Sequence, residues 1–348
     1  MALNKQDLIS LMKTVSKADP ASPVAYSFGG ESYSYEALNE TLRKELNELA
    51  GSYSLYRDNK NLIFSIIEET IDDVLPKKVA DFYSKFAEVK TFGQGDKPLF
   101  RRKVNARNRA KQFITRVGLA GVYEVFKLGG SESFEVPTSA IGGAAQIGFE
   151  EFLDGRVDWS ELYNIILEGM DELIQAEIAG SLVASIDQLP ANNKHSEPGF
   201  NEANFDRLIT IASAYGTPVI YCTNEFAAKM IPGTDWGRYS DAMKEELWRN
   251  GRFANYKNVQ VVIVPQGLTD ETNSMKTIDP GYCWIIPTGG DNKPVKIAFE
   301  GGTAVREVES NADWSRDIHV YKKVGVVAMM TNDICVYIDE DLAGKFEI

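Results

Sequence analysis

Residues 97–116 hold eight basic side chains and no acidic one, and a glycine-rich run follows them directly. The basic residues are Lys97, Arg101, Arg102, Lys103, Arg107, Arg109, Lys111 and Arg116. The chain as a whole carries −13, so the remaining 328 residues carry −21. Seven glycines lie between residues 118 and 148. Helical spacing is absent from about residue 93 to residue 155, and connections of that length are usually functional or disordered. Disorder fits poorly, because Phe113, Ile114, Val117, Val122, Tyr123, Val125 and Phe126 are strand formers. A lone two-stranded ribbon is marginal in water and needs a cover for its apolar face. The sequence offers no obvious internal partner of matching length. The expectation is a basic ribbon that docks on another copy of the chain. An irregular β-region packed on its own body, or a merely solvated basic face, are the competing readings.

At 348 residues the chain exceeds the usual size of one compact unit, so two lobes are expected. Its hydrophobic content of 44% suffices for a sizeable core. The negative balance argues against a general nucleic-acid-binding surface. Cys222, Cys283 and Cys335 are odd in number and far apart in sequence, which fits a reducing compartment without a disulfide framework. The first residues lack the apolar core of a signal peptide, and the apolar runs are too short to span a bilayer. A soluble protein made inside the cell is expected, with no membrane partner.

Along the chain, residues 7–17 and 35–49 have helical spacing, separated by a turn-rich stretch at 18–34. A stronger helical pattern covers 62–88, with Pro76 expected to break or kink it. Residues 113–117, 122–128 and 134–136 have strand composition. A long helix is expected over 159–186, with Asp158 at its N-cap and Glu161 completing a capping pair. Gly169, Ala176 and Gly180 share one of its faces with Leu162, Leu173 and Val183, which would let another backbone approach closely. An α/β pattern follows: helices over 205–214, 224–230 and 241–248, and buried strands over 218–222, 259–264 and 282–286. Strands are expected again over 295–299, 304–308, 318–330 and 334–338.

Signals of chemistry are few. His195 and His319 have no ligand spacing to other metal-binding residues, and neither singles out a serine or cysteine as nucleophile. The glycine doublets at 129, 142, 289 and 301 belong to no phosphate loop and no dinucleotide fingerprint. Acidic pairs such as Glu150-Glu151 are common in acidic proteins. No catalytic residue, cofactor or metal is expected.

The order of segments resembles the major capsid proteins of tailed double-stranded-DNA bacteriophages, the Hong Kong 97 fold. Gly93 to Ser133 is similar to the extended E-loop hairpin of that family. Phe134-Glu135-Val136-Pro137 through Gly155 is similar to the return segment, and residues 159–186 to the spine helix. Tyr215-Gly216-Thr217-Pro218-Val219-Ile220-Tyr221-Cys222 resembles the axial core, as Gly281 to Pro287 resembles an axial strand.

The resemblance implies an α+β Hong Kong 97-type capsid fold. It divides into an N-terminal arm (1–60), a helical start of the peripheral domain (61–92), the E-loop and return strand (93–150), and the peripheral domain with its spine helix (151–202). The axial domain (203–293), long peripheral strands (294–331) and a C-terminal axial strand (332–348) follow. It also implies a non-enzymatic shell subunit that forms hexamers and pentamers, in the virion and in the host cytoplasm during assembly. Portal and scaffolding proteins would be partners, and double-stranded DNA would be enclosed without sequence-specific binding. The basic cluster is then expected at the E-loop, facing carboxylates of a neighbouring subunit among Glu150, Glu151, Asp154, Asp171 and Glu172. An encapsulin-like compartment shares the fold and stays open as an alternative. An α/β enzyme, or direct nucleic-acid binding by the basic block, remain more remote ones.

Overall fold

The structure is a computed structural model. It describes residues 4–18, 25–84, 86–102, 132–147, 159–231, 241–252, 254–264, 266–270, 272–288, 293–309, 316–329 and 333–345.

Three helices open the chain. The Asn4 side chain accepts from the Asp7 amide at 2.9 Å and caps α1 (Lys5–Lys17), which buries Leu8, Leu11, Met12 and Val15. A small hairpin, β1 (Tyr26–Phe28) and β2 (Glu31–Tyr33), turns at Gly29 and Gly30, both at positive φ, which two-residue hairpin turns demand. Helix α2 (Tyr35–Ala50) starts on the Ser34 cap and buries Leu38, Leu42 and Leu46. These side chains share one core with the rest of the first lobe. Residues of the expected N-terminal arm are therefore built into the body, because both helices carry apolar stripes that must be covered.

Helix α3 (Tyr53–Tyr83) runs unbroken through Pro76, and starts nine residues before the expected helical stretch. Proline inside a helix costs about 3 kcal/mol. Burial offsets that cost: Ile63, Ile66, Ile67, Ile71, Val74, Leu75, Val79 and Tyr83 are all buried. Glu88, expected at the helix end, lies in a strand instead.

The first lobe's sheet has the order β3-β12-β13-β6. β3 (Ala87–Phe92) runs parallel to β12 (Val295–Glu309). β12 pairs antiparallel with β13 (Arg316–Ala328), and β13 with β6 (Ser139–Ile147). The two strands expected at 295–299 and 304–308 are one, with a register shift between Glu300 and Ala304 at the Gly301-Gly302 doublet. The doublet makes a bulge, and Gly301 takes φ 68° beside Gln94. The bulge brings the Thr303 amide within 2.8 Å of the Asp72 carboxylate on α3. The Val305 amide likewise donates to Glu68 at 2.8 Å.

Helix α4 (Trp159–Ala184) packs on β13, with Trp159, Tyr163, Leu167, Met170, Ile174, Ile178 and Leu182 inward. Trp159 stacks on Tyr56 of α3 with ring centroids 5.3 Å apart. Its expected N-cap, Asp158, lies outside the described residues.

The second lobe is a six-stranded sheet, β7-β14-β11-β8-β10-β9. Its strands are β7 (Lys194–Glu197), β8 (Thr217–Cys222), β9 (Asn255–Tyr256), β10 (Val259–Ile263), β11 (Tyr282–Thr288) and β14 (Cys335–Asp339). β8 pairs parallel with β10 and antiparallel with β11, and β14 pairs parallel with β7. Helices α5 (Glu202–Ser213) and α6 (Asn224–Lys229) cover one face, burying Phe205, Leu208 and Phe226 against Ile220, Ile285 and Tyr337. The opposite face, with Val219, Tyr221, Trp284, Ile286 and Val336, joins the first lobe's core. Helix α7 (Asp241–Asn250) also belongs to this part of the chain. The three cysteines, distant in sequence, fall on the adjacent strands β8, β11 and β14, and all are free and buried. Among the described residues no helix is long and apolar enough to cross a membrane.

Candidate functional site

The chain enters and leaves residues 103–131 through a braced pair of strands, the root of the expected ribbon. β4 (Leu99–Arg102) and β5 (Glu132–Glu135) pair antiparallel, with Phe100 opposite Phe134 and Arg101 opposite Ser133. Phe100 is fully buried, between Phe92, Phe134, Val136 and Ala298. The Lys90 ammonium lies 4.8 Å from the centre of its ring. Glu300, in the strand just before the bulge, clamps both sides of the root. It accepts from the Gly95 amide at 3.3 Å, from Lys323 Nζ at 3.2 Å, and from the Thr138 hydroxyl. The bonds from Thr138 and Lys323 hold its carboxyl below the usual glutamate value. Beyond the root, the return strand β6 lies along β13 for nine residue pairs. At the crossing an added Cβ on Gly325 would sit 2.3 Å from the Pro137 carbonyl oxygen, so only glycine admits this approach.

The sequence reading found no internal partner for this region, and that is corrected at both its ends. The root packs on Ala298 of β12, and β6 finds its partner in β13, a strand about 170 residues later that no local pattern announces. Residues 103–131, including the strand-forming runs 113–117 and 122–128, lie outside the described residues.

Of the basic cluster, Lys103, Arg107, Arg109, Lys111 and Arg116 therefore lie outside the described residues too. Lys97 stands at the root with an exposed ion pair to Glu135 at 3.6 Å, so it is engaged within its own chain. Arg101 is exposed on β4, the strand that continues into the remaining cluster, and Arg102 ends that strand. Among the expected acidic partners, Glu150, Glu151 and Asp154 lie outside the described residues. Asp171 is corrected: it is buried on the inner side of α4, 2.9 Å from Lys78 Nζ on α3. Glu172 is exposed on the outer side.

That outer side of α4 is a defined surface. Helical spacing aligns Glu161, Glu168 and Glu172 in one row, all exposed. Beside the row, Ile165 is 61% and Leu173 44% exposed, unusual for large apolar side chains on a helix otherwise well packed. A Cβ added at Gly169 or Gly180 would meet nothing within 4 Å. Among the described residues, the close backbone approach expected there is thus not made. Between this face and β6 runs an apolar groove of about 250 Å³, lined by Gly142, Gly143, Leu162, Ile165 and Ile166 among others. Among the described residues β6 is an edge strand, without a charged residue, and one side of its backbone ladder is unpaired. Glu161 and Glu168, which stand in this row, were not among the expected acidic partners. Their one signal was their place in the row with Glu172.

A long helix lying along a four-stranded sheet, an α/β lobe and a braced ribbon between long strands together define the Hong Kong 97-type capsid architecture. The solved structures that the chain resembles carry it. A phage-related protein from Bordetella bronchiseptica matches with TM-score 0.50 and 12% identity, over 80% of this chain and 97% of that one. The satellite phage P4 procapsid, which includes the size determination (Sid) protein, matches with TM-score 0.50 and 11% identity, over 82% and 98%. The holo-SrpI encapsulin complex from Synechococcus elongatus matches at TM-score 0.43 and 12% identity, over 72% and 85%. No curated protein sequence matches the chain. Residues 7–339 match the family described as "SPbeta prophage-derived putative capsid protein YonB", and the chain belongs to that family. It is a self-associating capsid protein, the role that the order of its segments implied.

Proposed function

We propose that the chain is the major shell subunit of an icosahedral capsid, assembling as hexamers and pentamers around double-stranded DNA in the host cytoplasm. In that shell the basic ribbon of one subunit lies on the outer face of α4 and the edge of β6 of its neighbour. The observation that carries this reading is the pairing of opposites within one chain. A strand ends in Arg101 and Arg102, and an apolar groove beside Glu161, Glu168 and Glu172 is uncovered among the described residues. A second copy, related by rotation, satisfies both at once. Exposed ion pairs contribute only about 0 to 1 kcal/mol each, so the apolar groove supplies contact area and the charges supply register. Portal and scaffolding proteins would complete the particle. The acidic body would keep DNA from adhering to the wall by like-charge repulsion.

Charge reversal at Arg101, Arg102 and Arg107 tests the docking. Closed particles counted by negative-stain electron microscopy should fall sharply while the subunit keeps its circular dichroism spectrum. A normal particle yield from the triple variant would remove the proposed contact.

A further inference from the structure

A second cavity lies where the two lobes meet, away from the groove just described. It has about 360 Å³ and lies, partly open, between the C-terminal half of α4 and the inner face of the six-stranded sheet. Tyr83, Phe86, Ile178, Leu182, Trp284 and Ile286 are among its apolar lining residues. Its size is that of pockets that hold small organic molecules, and such pockets combine an apolar lining with few directing polar groups.

The polar side chains around it are mostly committed elsewhere. Gln175 donates to Asp171 at 3.3 Å, and Thr223 caps α6 through the Phe226 amide. Asp279 accepts from the Gly281 and Gly344 amides, each at 2.9 Å. Tyr221 is the exception. Its side chain leaves β8 on the face that looks toward α4, and its ring packs edge-on against Phe86 at 4.6 Å. The residue is 3% exposed, and its hydroxyl is buried with no hydrogen-bond partner among the described residues. Burial raises its pKa, so it stays a protonated donor at any physiological pH. An unmet buried donor typically costs about 1–3 kcal/mol, and a phenylalanine would have filled the same place without that cost.

We propose that this cavity is a binding site for a small, uncharged, largely apolar molecule with one hydrogen-bond acceptor. The apolar walls take up its body, and a small turn of the Tyr221 ring lets the hydroxyl donate to the acceptor. A charged ligand is disfavoured, because no charged group of the wall is free to pair with it and burial in such surroundings penalises a net charge.

The test uses the purified full-length protein and 6-propionyl-2-dimethylaminonaphthalene, a neutral fluorophore whose ketone is the acceptor. Saturable binding at one molecule per chain, with a blue-shifted emission, is expected. Tyr221→Phe should weaken it about fivefold, the usual effect of one neutral hydrogen bond. Ala179→Phe, which fills the space from α4, should abolish it. Both variants are first checked for an unchanged circular dichroism spectrum. The proposal is overturned if binding is unsaturable, or if it is indifferent to both substitutions. Loss of binding on closure of the particle would also overturn it, since a second copy would then be the occupant.

Discussion

Lys322 extends from the middle of β13 to the carboxylate of Asp72 on α3, and only 1% of its side chain remains exposed. The same carboxylate accepts from the amide and the hydroxyl of Thr303 at the bulge of β12. One aspartate thus ties helix, bulge and central strand together. The Asp72 side chain is 36% exposed, but its removal strands the buried Lys322 ammonium, at about 1–3 kcal/mol. Asp72→Ala is expected to destabilise the subunit by about that amount in denaturant unfolding. Adding Lys322→Met should recover much of the loss, because no uncompensated charge is then buried.

Phe100 closes the small core at the ribbon's root. Its truncation to alanine leaves a void beside Phe92, Phe134 and Ala298. A loss of about 3 kcal/mol is expected, as for other buried phenylalanines. Because the damage is local, limited proteolysis should cleave between residues 90 and 138 faster than in the parent. An unchanged cleavage pattern would show that the root is held by its hydrogen bonds alone.

Gly325→Ala should be costly for a steric reason. The new methyl would stand 2.3 Å from the Pro137 carbonyl oxygen and 3.0 Å from Val136 Cγ1. Either β13 or the start of the return segment must move, at about 1–3 kcal/mol, the usual cost of overpacking. Thermal melting of the variant beside the parent should show a midpoint lowered by several degrees. Coincident melting curves would mean that the crossing relaxes without cost.

Acid should loosen the root. Glu300 is held below the ordinary value of 4.5 by its bonds to Thr138 and Lys323. Glu88, although burial opposes it, is held below 4.5 by Lys296 and Lys90. A carboxyl whose folded pKa is depressed binds fewer protons folded than unfolded. Its contribution is therefore complete above about pH 4.5, and it is lost as pH falls through the depressed folded values. Melting curves between pH 7 and pH 3 should show the decline, and Glu300→Gln should flatten it.

The acidic row on the outer side of α4 supplies a compensation experiment for the proposed docking. Glu168→Lys with Glu172→Lys should impair particle formation as the arginine reversals do. Combining the two sets should restore it in part, if the same surfaces meet. Assembly that stays impaired in the combined variant would mean that the ribbon seats elsewhere.

Much of this architecture was legible because the patterns are local. Helix α4 declares itself through apolar residues at three and four, and β8 through an unbroken apolar run suited to a central strand. What escaped notice depends on distant partners. Pro76 reads as a breaker until Val79 and Tyr83 are seen buried beyond it. Gly301-Gly302 reads as a turn, yet the neighbouring strands hold it as a bulge. Asp171 has the spacing of an exposed acid, and only the approach of Lys78 from another helix explains its inward position. Phe100 shows the same limit: nothing near it in sequence marks it as the plug of the ribbon's root.

Cys222, Cys283 and Cys335 lie buried on three neighbouring strands, and burial raises the pKa of Cys283 and Cys335. Their sulfurs stay silent toward alkylating reagents while that sheet is closed. Each copy in a particle therefore carries its own clock: the pace at which a thiol dye is consumed counts how often the lobe breathes, with nothing engineered into the shell.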